Sequence, residues 1–198
     1  MNDCSRSARV RLSFSAGNGS LYDFSTAFHY IIECWPMPNN LFEWNAEGLQ
    51  VGLFGSMQKS ANEYSSVKSA SAQLYSIAGR WMQQRNWQDC ILLNQYGNVC
   101  ETSIANIFWI KDKNIHTPSL KQGCVAGVMR AWLMEQEEVI ETDCQPDRLM
   151  EADEVFITNA IKGIQWVKTI GEINFNSLFT RMLYDKHIVP LRERQQLL

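Results

Sequence analysis

Nowhere in its 198 residues does this chain carry an apolar run approaching the roughly eighteen residues that a membrane-spanning helix needs. Its start, Met1-Asn2-Asp3-Cys4-Ser5, has no hydrophobic signal segment, so a cytoplasmic address without a membrane partner is expected. An excess of positive charge is also lacking. Lys and Arg number 18 against 21 Asp and Glu, for a net charge of −3, and no lysine-rich run alternates with aromatics. Nucleic acid is therefore not an expected partner. The six cysteines, at 4, 34, 90, 100, 124 and 144, show no CxxC spacing, and His29, His116 and His187 form no cluster. They read as reduced thiols and packing residues, and no metal site is expected. Internal repeats and low-complexity stretches are missing too.

What is present is a chain able to bury a core, 45% hydrophobic and 20% charged. Proline is scarce, and two of the five fall in Pro36-Met37-Pro38-Asn39-Asn40, the best linker candidate. It separates residues 1–40 from 41–198. Hydrophobic alternation and turn residues predict strands near 8–16, 28–36, 48–55, 90–95, 99–110, 114–117, 138–144, 153–159 and 163–170. Helical periodicity predicts helices near 69–85, 127–136 and 176–187, with a short helical turn around 146–151. Trp81, Trp87, Trp132 and Trp166 fall at positions where packing is the expected role.

Two segments carry chemistry. Val99 to Ile110 begins at the turn Tyr96-Gly97-Asn98 and is rich in Val, Ile and Phe, with Glu101 inside it. A buried carboxylate costs several kcal/mol unless it meets a cationic or protonated partner. The alternative is a carboxylate at the strand's exposed start, bonded to turn amides. Further on, Gly127-Val128-Met129-Arg130 opens a run of good helix formers. The first amides of such a helix have no intrahelical partners, and the macrodipole adds partial positive charge, so Val128 and Met129 are candidates to hold an anion through main-chain N–H groups.

The order Glu101-Thr-Ser-Ile-Ala-Asn106-Ile-Phe108, then Ile115-His-Thr117, then Gly127-Val-Met-Arg130 fixes about ten positions over thirty, and it resembles the signature of the class IV aminotransferases. The resemblance runs from about Arg9 to the end of the chain. It implies an α+β fold: the large domain of the D-amino acid aminotransferase-like fold over 41–198, preceded over 1–40 by the last strands of a small α/β domain, to which Arg9–Phe14 and His29–Ile32 are similar. It also implies pyridoxal 5'-phosphate as cofactor. Glu101 would then face the ring nitrogen, and Val128 and Met129 the phosphate. Asn159 and Ala160 would add main-chain contacts at the end of the strand Asp153–Ala160. The lysine that bonds the aldehyde precedes the acid in this family by about the spacing of Lys68, 33 residues before Glu101, whereas Lys59 lies farther off.

Two departures from the family pattern stand out. The earlier Arg-Gly-Phe and Gly-Asp-Gly segments, with a phosphate-binding arginine and pocket aromatics, have no match. Ser71 replaces an asparagine that often follows the lysine. The family implies a homodimer and a small amino-acid-like substrate: branched-chain amino acids, D-amino acids, or 4-amino-4-deoxychorismate, which is cleaved to pyruvate and 4-aminobenzoate. Thr158-Asn159-Ala160 resembles the lyase branch more closely. Two other readings are a non-catalytic binding module, and a truncated or split form that acts only with a partner supplying the missing segments.

Overall fold

The computed structural model describes residues 8–17, 27–38 and 42–196. The chain separates into two compact units, Met1–Leu41 and Phe42–Leu198.

The first unit is an antiparallel ribbon of β1 (Ala8–Ala16) and β2 (Phe28–Pro36), with Leu12 opposite Ile32 and Phe14 opposite Tyr30. Side chains alternate across the ribbon, so Val10, Leu12, Phe14, Phe28, Tyr30 and Ile32 share one face. On the other face Arg11 pairs with Glu33 and lies over the Trp35 ring.

The second unit is built on nine strands: β3 (Leu49–Lys59), β4 (Asp89–Asn94), β5 (Val99–Thr102), β6 (Asn106–Lys111), β7 (Asn114–Pro118), β8 (Val139–Thr142), β9 (Glu154–Asn159), β10 (Gly163–Ile170) and β11 (Ile173–Asn174). The order across the sheet is β5-β4-β3-β10-β9-β6-β7-β8, with β11 paired to β10. Pairing is parallel at β3–β4, β3–β10 and β7–β8 and antiparallel elsewhere. The sheet curls until its ends meet, and the Val99 N–H donates to the carbonyl of Cys144, just beyond β8, at 2.8 Å.

Curling gives the sheet an inside and an outside. Val51, Ile91, Val99, Ile107, Val155, Ile157 and Val167 fill the interior, closed by Leu149 of α3 (Pro146–Met150). On one outer flank, α1 (Gln73–Gln83) covers Phe54, Cys90 and Leu92. On the other, α2 (Val128–Gln136) and α4 (Leu178–Gln196) cover Phe108, Phe156 and Ile164 through Leu133, Tyr184 and Ile188. The fold is α+β. Trp81 packs edge-on against Phe54 and Trp87, and Trp166 donates to the Asn45 carbonyl at 2.6 Å, so these two indoles serve packing.

The largest departures from the sequence-based expectation are at β5–β6, β3 and α4; β11 was not expected either. The strand expected over 99–110 is two, β5 and β6, separated by a turn at Ser103–Ala105. The turn forms because Asp89, fully buried on β4, draws in the Thr102 hydroxyl (2.6 Å), the Ser103 hydroxyl (2.6 Å) and the Ser103 N–H (3.1 Å). β3 runs on to Lys59 instead of ending near 55. α4 extends to Gln196 and tolerates Pro190 in its interior.

Candidate cofactor site

β5 would ordinarily place Val99 and Glu101 on the same face of the sheet. A bulge prevents this. Leu93 pairs with Val99 and Leu92 with Glu101, leaving Cys100 as the extra residue. Val99 therefore points into the interior core, while Glu101 faces the α1 flank together with Leu92.

Glu101 is 3% exposed, and each of its oxygens is satisfied. Oε1 accepts from the Lys59 ammonium, at the end of β3, and from the Tyr75 hydroxyl of α1 at 2.6 Å. Oε2 accepts from the Val125 N–H at 2.8 Å. Charge-assisted bonds of this kind offset the several kcal/mol that a bare buried carboxylate would cost. Burial, and after it the charge of Glu101, push the Tyr75 hydroxyl far above its ordinary value, so it remains a donor at any physiological pH. Burial likewise pushes the neighbouring Cys124 thiol up to about 11, which leaves it an inert packing residue.

Lys59, Tyr75 and Val125, the three donors to Glu101, border a cavity of about 500 Å³ whose walls also include Lys68, Tyr64 and Ser103. Lys68 stands on the loop between β3 and α1, exposed on the cavity wall. Lys68 and Glu101 thus belong to one region, but the cation in contact with Glu101 is Lys59.

The loop carrying Val125 is held from both sides. Gly123 adopts φ +90°, and a Cβ there would lie 2.7 Å from the Ser60 carbonyl, next to Lys59. Asn106, the first residue of β6, donates to the Val125 carbonyl at 2.8 Å, and a Cβ on Gly127 would fall 2.1 Å from its Oδ1. Asn106 and Gly127 of the sequence motif therefore fit each other. Immediately after them α2 begins at Val128 with Gly127 as N-cap and no side-chain cap, leaving the first-turn amides, those of Val128 and Met129 among them, available to an anion.

Asn159, at the end of β9, spends its Oδ1 on the Ile161 and Lys162 N–H groups (3.0 and 2.8 Å), and its Nδ2 donates to the Ile104 carbonyl at 3.4 Å. What Asn159 and Ala160 have to offer a ligand is backbone. Arg130 is buried, bonded to the Pro118 carbonyl at 3.0 Å and to Glu141, so it ties α2 to β7 and β8. Sequence reasoning missed Lys59, Tyr75 and Val125. The one available signal for Tyr75 was its place on a helix directly downstream of the lysine-bearing loop.

The fold thus brings together a buried acid whose three donors line a cavity, a second lysine on that cavity and, just beyond Val125, an uncapped helix start. The family profile of class IV amino-transferases matches residues 2–170, and the chain belongs to that family. Aminodeoxychorismate lyase of Vibrio harveyi is 30% identical over 145 residues, which is 71% of this chain and 54% of that protein. The chain therefore spans about half the length of that relative. Among solved structures, 4-amino-4-deoxychorismate lyase from Pseudomonas aeruginosa superposes with a TM-score of 0.78 at 22% identity, covering 89% of this chain and 69% of that one. A branched-chain amino acid aminotransferase from Thermobaculum terrenum, in its pyridoxal-phosphate form, gives 0.80 at 17% identity, covering 94% and 65%. Class IV enzymes use pyridoxal phosphate. The donor set fits that cofactor: a buried carboxylate paired with a cation, a lysine on the cavity that its donors line, and free helix amides.

Proposed function

We propose that this chain forms the cofactor-holding part of a class IV pyridoxal-phosphate enzyme acting on a small amino-acid-like substrate, with cleavage of 4-amino-4-deoxychorismate the first reaction to test and amino transfer the second. The observation that carries the reading is Glu101, a carboxylate 3% exposed whose three donors, Lys59, Tyr75 and Val125, line a cavity together with Lys68. The cofactor, when bound, supplies an electron sink for the pair released at the substrate carbon. Lys68 would hold it through its aldehyde and, as a free amine, would move the proton at that carbon. Glu101 keeps a proton on the ring nitrogen, and the Val128 and Met129 amides hold the phosphate, with backbone at Asn159 and Ala160 as a further donor. Asn106 and Tyr75 position these groups without touching substrate. A homodimer working in the cytoplasm belongs to the same proposal. A lyase preference draws support from the Vibrio harveyi relative and from Thr158-Asn159-Ala160.

A second reading, a binding module without turnover, is favoured by one observation: both oxygens of Glu101 are already occupied by the chain's own donors. Borohydride reduction in the presence of pyridoxal phosphate, followed by peptide mapping, tests the proposal. The label is expected on Lys68. A label on Lys59 with Lys68 untouched would refute the assignment, and a specific label with no turnover of either substrate class would favour the module.

A further inference from the structure

Of the three donors on Glu101, two are fixtures and one is not. The Val125 N–H is backbone, held by Asn106 and Gly123, and the Tyr75 hydroxyl is anchored on α1. Lys59 is different. It sits at the last position of β3 on a flexible four-carbon stem, its side chain is 10% exposed, and it lines an open cavity of about 500 Å³ into which it can rotate. Its ammonium already lies 5.5 Å from the Tyr75 ring centroid, near an aromatic face that offers a cation a second resting place.

Resting on the cofactor reading above, we propose that Lys59 holds the place at Glu101 that the protonated ring nitrogen of pyridoxal phosphate takes, so that the ion pair and the bound ring exclude each other. A carboxylate has room for about four donors, so the bar is one of charge more than of lone pairs. A ring N–H⁺ and an ammonium on one carboxylate would be like charges within a few Å, an arrangement that drives one of the two to leave or to lose its proton. The cofactor pays for entry by breaking the Lys59–Glu101 contact. Lys59 thereby makes the site selective: a ring that brings no positive charge gains nothing from displacing it.

The test is an absorbance titration of pyridoxal 5'-phosphate, and of its analogue with carbon in place of the ring nitrogen, into the wild-type protein, Lys59→Met and Lys59→Gln. Circular dichroism checks the fold of each. Both variants are expected to bind the cofactor roughly 10- to 100-fold more tightly than wild type, the scale of one lost charge-assisted contact, while affinity for the carbon analogue changes little. Unchanged or weaker cofactor binding by a folded variant overturns the proposal, as does an equal gain for the analogue, which would make Lys59 a space filler. Failure of both variants to fold also counts against it, since an exchangeable cation is no requirement of the fold. Absence of cofactor binding by all three proteins at millimolar concentration would instead remove the cofactor reading, and this inference with it.

Discussion

Asp89 is where the geometry makes its most quantitative demand. The carboxylate is fully buried on β4 and accepts four bonds: from the Thr102 hydroxyl (2.6 Å), the Ser103 hydroxyl (2.6 Å), the Cys90 N–H (2.8 Å) and the Ser103 N–H (3.1 Å). Replacing it with alanine removes every acceptor. Thr102 keeps an alternative in the Ala105 carbonyl at 3.1 Å and the Ser103 N–H keeps the Cys90 carbonyl at 2.9 Å, so two donors are orphaned, the Ser103 hydroxyl and the Cys90 N–H. At about 1–2 kcal/mol for each orphaned donor, Asp89→Ala is expected to cost about 2–4 kcal/mol. Asparagine retains one acceptor oxygen, and its NH₂ can donate to the Thr102 hydroxyl while that hydroxyl turns to Ala105, so Asp89→Asn should cost about 1–2 kcal/mol. Urea denaturation followed by tryptophan fluorescence measures both, and the midpoint should fall without a change of slope.

The pH dependence adds a sign. Burial pushes the Asp89 carboxyl above its ordinary value, against the four bonds that favour ionisation. A raised folded-state value means that the group's contribution to stability is full in acid and is lost as the pH rises through that value. The gap between wild type and Asp89→Asn should therefore narrow with rising pH. An alanine variant within about 1 kcal/mol of wild type, or a gap that widens with pH, would refute the reasoning.

Three further outcomes are expected. Glu101→Gln should fold and bind pyridoxal phosphate yet lose most turnover, because an amide does not favour a protonated ring; wild-type rates in steady-state assays would make Glu101 structural. Gly127→Ala should cost about 1–3 kcal/mol by pushing Asn106 off the Val125 carbonyl, and a double-mutant cycle with Asn106→Ala should show most of that cost to be shared. Glu137 accepts from Lys186 at 2.6 Å and contacts the His187 ring at 2.5 Å. Burial raises its carboxyl, but these two partners outweigh burial and hold it below its ordinary value. Its contribution is thus present above the ordinary carboxylate range and lost as the pH falls through the lowered value, so thermal melts of wild type and Glu137→Gln should converge in acid and diverge toward neutrality.

Alternating hydrophobicity and turn residues made most strands legible, and periodicity with helix formers placed α1 and α2 within a few residues. The break between β5 and β6 was not visible, because Ser103-Ile104-Ala105 reads as a plausible strand unless Asp89 is known to sit beneath it. Within the site, Glu101 and the α2 start announced themselves through residue type and local context. Lys59 did not. Its distance from Glu101 along the chain argued against it, and only the extension of β3 together with the bulge at Cys100 brings the two into contact. Nor does the sequence reveal that Arg130, in the middle of the motif, faces Glu141 and the Pro118 carbonyl.

The closure of the sheet has a consequence for how the protein is made. Its central strand β3 lies between β4 and β10, so Leu49 must find Val167 before the strand bearing Lys59 has both neighbours. Pairings that distant in sequence carry a large loop-closure entropy and form late. Lys59 and Glu101 both leave the ribosome well before β10, and Lys59 pairs with Asn94 of β4 while β10 joins the other end of β3. A nascent chain halted short of residue 163 should therefore present the motif in full while Leu49–Val51 of β3 still lacks its neighbour on one side.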